Sequence, residues 1–97
     1  MEIKNAKITG TSLGYDDRGP SFWIYVEYGN YGQGFGGYKL GGIFTDYVIM
    51  GILEAVGVDK WEELKGRPIR VKASHDKIQA IGNYLEEKWF DPSKFNE

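Results

Sequence analysis

Seven glycines and four aromatic residues crowd the fifteen positions from Tyr28 to Gly42, YGNYGQGFGGYKLGG. Within them Gly32, Gly34 and Gly37 spell G-x-G-x-x-G. In a dinucleotide-binding unit those glycines join a strand to a helix, so that a pyrophosphate meets the helix N-terminus. Here the last glycine leads into Tyr38-Lys39-Leu40, which reads as strand, and 97 residues are too few for a doubly wound sheet. The segment therefore reads as a glycine-rich strand over 34–40. Its missing side chains let another backbone, an aromatic ring or a ligand come close.

The flanking residues supply partners for that strand. SFWIYVEY (21–28) alternates Phe22, Ile24, Val26 and Tyr28 on one face with Trp23, Tyr25 and Glu27 on the other. Both faces begin apolar, which predicts a central strand. Before it, Ile3 to about Leu13 forms a first strand whose imperfect alternation predicts a bulge, and DDRGP (16–20) turns the chain. After the glycine strand, Thr45 is the expected N-cap of a helix with Asp46 in its first turn and a Phe44–Ile49 hydrophobic staple. Val48, Ile49, Ile52, Leu53 and Val56 make its core face, and Gly57 followed by Val58 ends it. DKWEELKG reads as a second, short helix boxed by Asp59 and Glu62 and stopped by Gly66 and Pro68. PIRVKA (68–73) alternates cleanly, SHD turns the chain, and KIQAIGNYL returns as a hairpin partner. In the tail, Trp89 and Phe90 need a surface to lie on. The expected fold is α+β: a five-stranded antiparallel sheet in the order β-β-β-α-β-β, one main helix and a short second one, in a single domain over 1–97. The same order is that of an OB barrel, and sequence does not separate an open sheet from a closed one.

Composition narrows the chemistry. The net charge is −2, and the balance runs from zero over 1–18 through −4 over 19–64 to +2 over 65–97. A binder of duplex nucleic acid usually carries a larger basic surplus, whereas a small anion needs only the local patch KGRPIRVKASHDK. No apolar run is long enough for a spanning helix, the N-terminus lacks a secretory h-region, and the absence of cysteine fits a reducing cytoplasm. Gly10 to Gly14 matches G-x-S-x-G, but the segment after it reads as turn and strand, and His75 is the only histidine. A nucleophile elbow is therefore rejected, and His75 reads as a turn residue. Asp16 and Asp17 read as a polar turn, and no cluster has metal-ligand spacing. No catalytic residue, metal or cofactor is expected.

Nine of the fifteen aromatics lie between Phe22 and Tyr47, more than a small domain buries internally. Trp23, Tyr25, Tyr31, Phe35 and Tyr38 are accordingly candidates to line a pocket or an interface. Arg70 and Lys72 emerge on one face of their strand, with Lys65 and Arg67 just before them, and together they form a candidate phosphate site.

Taken together, GQGFGGYKL, ILEAVGVDKWEELKG, IRVKAS and IQAIGNYLEEKWFDP resemble a family of small phage and prophage proteins. The likeness runs from about Ile3 to Pro92, and Trp61-Glu62-x-Leu64-x-Gly66 and Lys88-Trp89-Phe90-Asp91-Pro92 are its most specific parts. The family is similar to the Thoeris anti-defence sponges, which sequester cyclic ADP-ribose-type signals made by bacterial TIR enzymes. Compared with many members, this chain is shortened at GGIFTDY. The resemblance implies a non-enzymatic protein of the infected bacterial cytoplasm and a homo-oligomer. It also implies a nucleotide held between an aromatic pocket and an arginine grip. The residues above could supply both: Trp23, Tyr25, Tyr31, Phe35 and Tyr38 for the rings, and Arg67, Arg70 and Lys72 for the phosphates. On that reading Trp23→Ala or Arg70→Ala abolishes uptake without unfolding the domain. Two rivals stand beside it. One is a protein-directed inhibitor of a defence nuclease, of anti-CRISPR type, acting through the acidic 46–63 region or the aromatic surface. The other is an OB-type single-stranded DNA binder, which the acidic balance disfavours.

Overall fold

The computed structural model describes residues 2–74 and 76–95. A long strand β1 (Glu2–Asp16) is followed by β2 (Gly19–Tyr28), β3 (Tyr31–Lys39) and the helix α1 (Ile43–Val56). A single 3-10 turn at Trp61–Glu63 leads to β4 (Pro68–Ala73), β5 (Ile78–Asn83) and a two-residue β6 (Trp89–Phe90). The sheet is antiparallel with strand order β3-β2-β1-β4-β5-β6. It has six strands where the sequence predicts five. A two-residue strand is too short to show a period, and two glycines decide its position. The Phe90 ring lies on Gly51 of α1, and the Trp89 indole lies so close to Gly82 that a Cβ there would stand 2.6 Å from Trp89 Cε3.

β1 shapes the sheet by changing partners along its length. Residues Glu2 to Lys7 pair with β4 and Lys7 to Asp16 with β2, and the register shifts between Ile8 and Gly10, at the predicted bulge. Fifteen residues at about 3.3 Å each would reach roughly 50 Å if straight. The longest dimension of the Cα trace is 31 Å, so the strand bends and the sheet curls with it. The concave side holds the core: Ile8, Phe22, Ile24, Ile69, Val71 and Ile81 are fully buried there with Val48 and Ile52 of α1.

The helix starts earlier than the capping signal suggests. Its N-cap is Gly42, not Thr45, because Gly41 (φ 101°) and Gly42 (φ 90°) swing the chain straight from β3 into the first turn. Thr45 is buried within that turn, and its Oγ1 donates to the Lys39 carbonyl at 2.6 Å, with the Gly41 carbonyl 3.1 Å away. Phe44 is thereby removed from the staple position and packs edge-on against Tyr38, with centroids 5.0 Å apart. The C-terminal end matches expectation: Gly57 is left-handed (φ 89°), and the amides of Gly57 and Val58 both donate to the Leu53 carbonyl. The second helix is one 3-10 turn, boxed one residue later than predicted by Glu63 Oε1, which accepts from the Lys60 amide at 3.0 Å. His75, read as a turn residue, lies outside the described residues.

Candidate functional site

Two of the four glycines of β3, Gly34 and Gly37, answer to one aromatic side chain. Trp23 projects from the outer face of β2, and its indole lies flat on Gly34 and Gly37. A Cβ at Gly34 would stand 2.8 Å from Trp23 Cε3, and Gly37 is closer still. Gly37 also has φ 76°, a conformation L side chains rarely adopt. Tyr25, two residues along and 42% exposed, holds its ring within 9° of parallel to the indole at 6.3 Å. The pair makes a planar platform on the outer face. Tyr31 sits at the tip of the β2–β3 hairpin, its ring 6.2 Å from that of Tyr28.

Phe35 and Tyr38 face the other way. Phe35 is buried in the core and Tyr38 half-buried, and both border a cleft of about 390 Å³ between β3 and the start of β5. Phe44 closes the cleft on the helix side, while Gln33, Asp76, Lys77, Gln79 and Ser93 supply its polar rim. Asp91 organises that rim: its Oδ1 accepts from Gln79 Nε2 at 3.0 Å, from Ser93 Oγ at 2.7 Å and from the Ser93 amide at 2.9 Å. Burial pushes the Asp91 carboxyl up, but the bonds from Ser93 and Gln79, with Lys94 nearby, outweigh it and hold the group below the ordinary aspartate range. The Tyr38 phenol is pushed up by burial and by the Asp91 charge, so it remains a hydrogen-bond donor at neutral pH. Rings, the Lys77 ammonium, the Asp76 carboxylate and the Tyr38 hydroxyl thus border one concavity, a mixed lining of the kind small-molecule sites have.

The basic residues lie elsewhere, and most are engaged. Arg70 donates from Nε to the Asn83 carbonyl and from Nη2 to the Glu86 carbonyl, both at 2.8 Å, and reaches Glu87 at 2.8 Å. Its guanidinium carbon lies 4.9 Å from the Trp89 ring centre, and the Lys72 ammonium lies 4.5 Å from it. These contacts fasten the β5–β6 turn across β4. Arg67 is exposed, with Nε donating to the Glu63 carbonyl at 3.3 Å. On β1, Arg70 stands opposite Asn5 and Tyr25 opposite Gly10, about 17 Å apart along the strand; Trp23, opposite Ser12, is about 23 Å away. The eight sequence candidates therefore divide among an outer platform (Trp23, Tyr25), a hairpin tip (Tyr31), a cleft (Phe35, Tyr38) and a basic girdle (Arg67, Arg70, Lys72).

Phe44, Gln79 and Ser93 were not legible as site residues, and Lys77 only as the last residue of the basic patch 65–77. Nothing in linear order brings 33–38 beside 76–79; only the curl of the sheet does. Among the described residues no three His, Cys, Asp or Glu side chains could together hold a metal ion, and no helix is long and apolar enough to cross a membrane. The chain matches no model of a protein family, no curated protein and no solved structure.

Proposed function

We propose that the protein is a non-enzymatic binder of a small anionic nucleotide, of the cyclic ADP-ribose type that the resemblance implies, and acts as a phage-derived anti-defence sponge. The observation that carries this reading is the β3–β5 cleft. Its volume falls within the roughly 300–1,000 Å³ typical of ligand sites. Tyr38 and Phe44 offer half-buried ring surface to a base above the buried Phe35. Lys77 offers a charge to a phosphate beside the Asp76 carboxylate, with Gln79 and Ser93 as polar neighbours. On this reading the cation is Lys77, and Arg70 holds the scaffold. Sequestration then works by mass action, since a tight complex lowers free signal in proportion to sites present. The strand order β3-β2-β1-β4-β5, with the helix between β3 and β4, is that of an OB barrel, and we read the cleft as the unclosed seam between β3 and β5. The β3 edge carries no charged side chain from Tyr31 to Tyr38, and we place the subunit boundary of a homo-oligomer there.

A second reading follows from the Trp23–Tyr25 platform, because the β2–β3 face of OB proteins takes single strands by base stacking. Calorimetric titration separates the two. Under the sponge reading, cyclised ADP-ribose isomers bind the wild type, Lys77→Glu weakens them at least tenfold, and Trp23→Ala leaves their affinity within about threefold. Salt-dependent binding of a short oligonucleotide that Trp23→Ala abolishes, with no uptake of nucleotide, would transfer the function to the outer platform.

A further inference from the structure

The geometry points to a docking groove for a basic, amphipathic segment of a partner protein, between the C-terminal half of α1 and β6. The groove is independent of the cleft and encloses about 730 Å³. Leu53 gives it half-buried apolar surface over a floor of the buried Val58 and Phe90. The exposed Glu54 and Asp59 stand around it with Glu87, which already pairs with Arg70 at 2.8 Å. Its chemistry is one-sided. Glu54 sits in the last turn of α1, where the helix dipole is negative and basic residues are favoured, yet that turn contains none. The helix end is closed by hydrogen bonds alone: Gly57 and Val58 amides on the Leu53 carbonyl, and Asn83 Nδ2 on the Val56 carbonyl at 3.2 Å. None of these donors carries charge. Among the described residues Glu54 and Asp59 have neither an ion-pair nor a hydrogen-bond partner, while Lys88, the one cation in the lining, leans to Glu86 at 3.7 Å.

A chain that places a carboxylate against a negative helix end leaves a local conflict that a cation from outside relieves. The occupant is a peptide because an apolar anchor and positive charge are both required. A metal ion would need a carboxylate cluster that the described residues do not form. A small organic cation would want an aromatic face, and that of Trp89 already carries Arg70 and Lys72.

The test is amide chemical-shift mapping of the full chain with two synthetic 12-residue peptides. One alternates leucine pairs with arginine pairs, and the other has glutamine in place of arginine. The arginine peptide is expected to shift Leu53 to Asp59 together with Trp89 and Phe90. Its binding should weaken several-fold when salt rises from about 50 to 300 mM, as the Debye length shortens. It should weaken at least tenfold in the double variant Glu54→Gln/Asp59→Asn, with nucleotide uptake unchanged. Shifts scattered over every acidic surface, equal binding of the glutamine peptide, undiminished binding by the double variant, or equal displacement by spermidine would each overturn it.

Discussion

Gly37 and Trp23 show how a residue-scale choice can be mistaken for a ligand motif. The glycine accepts both a left-handed backbone and the overlying indole, so Gly37→Ala meets strain and collision together. We expect a loss of about 2 kcal/mol or more in chemical denaturation. In a double-mutant cycle with Trp23→Ala, about 1 kcal/mol of that loss should be returned, because the collision is gone while the strain stays. Full additivity of the two substitutions would contradict the packing account. Arg70 teaches the converse. Its residue type fits a phosphate grip, but its guanidinium serves two carbonyls and the Trp89 ring. Arg70→Ala is thus expected to cost about 2 kcal/mol of stability, read from the denaturation midpoint, while the nucleotide affinity of the folded fraction is retained. Sequence shows what a side chain can do; which neighbour claims it depends on pairing partners many residues away.

At the scale of elements, alternation was the readable signal. β2 and β4 follow their patterns closely, and the end of α1 falls at the glycine that looked made for it. The start of α1 was not readable, because Thr45 has the chemistry of a cap and uses it on the end of β3 instead. Replacing it by valine keeps the shape and strands the Lys39 carbonyl, with an expected cost of about 1 kcal/mol. The turn after β6 carries part of the acid-side pH dependence, beside Asp16 and Glu87, whose carboxyls are also held low. Asp91 caps Pro92–Lys94 by accepting from the Ser93 amide, and its carboxyl is held below the ordinary aspartate value of 3.8. A depressed carboxyl stabilises the fold while ionised. That contribution is therefore complete above the unfolded value and is lost as pH falls through the lower folded value. Melting curves should show a shallower acid limb for Asp91→Asn than for the wild type. Parallel acid limbs would remove Asp91 from this role.

For the whole molecule, the informative quantity is the mismatch between the length of β1 and the size of the fold. A strand that long in a body this small must bend, and the bend faces β3 toward β5 across the cleft. The helix order and antiparallel class were legible because they follow from local periods and turns. The cleft was not, since its walls meet only through the curvature of four intervening pairings. The central claim, that this cleft retains a nucleotide without altering it, is tested most directly by mass spectrometry. The purified protein would be exposed to cyclic nucleotides and cyclised ADP-ribose isomers, weighed intact, then denatured and its released small molecules weighed. The account predicts one unmodified nucleotide in fixed ratio to subunits, absent from Lys77→Glu. A folded wild type that retains nothing, or releases a chemically altered nucleotide, would contradict it.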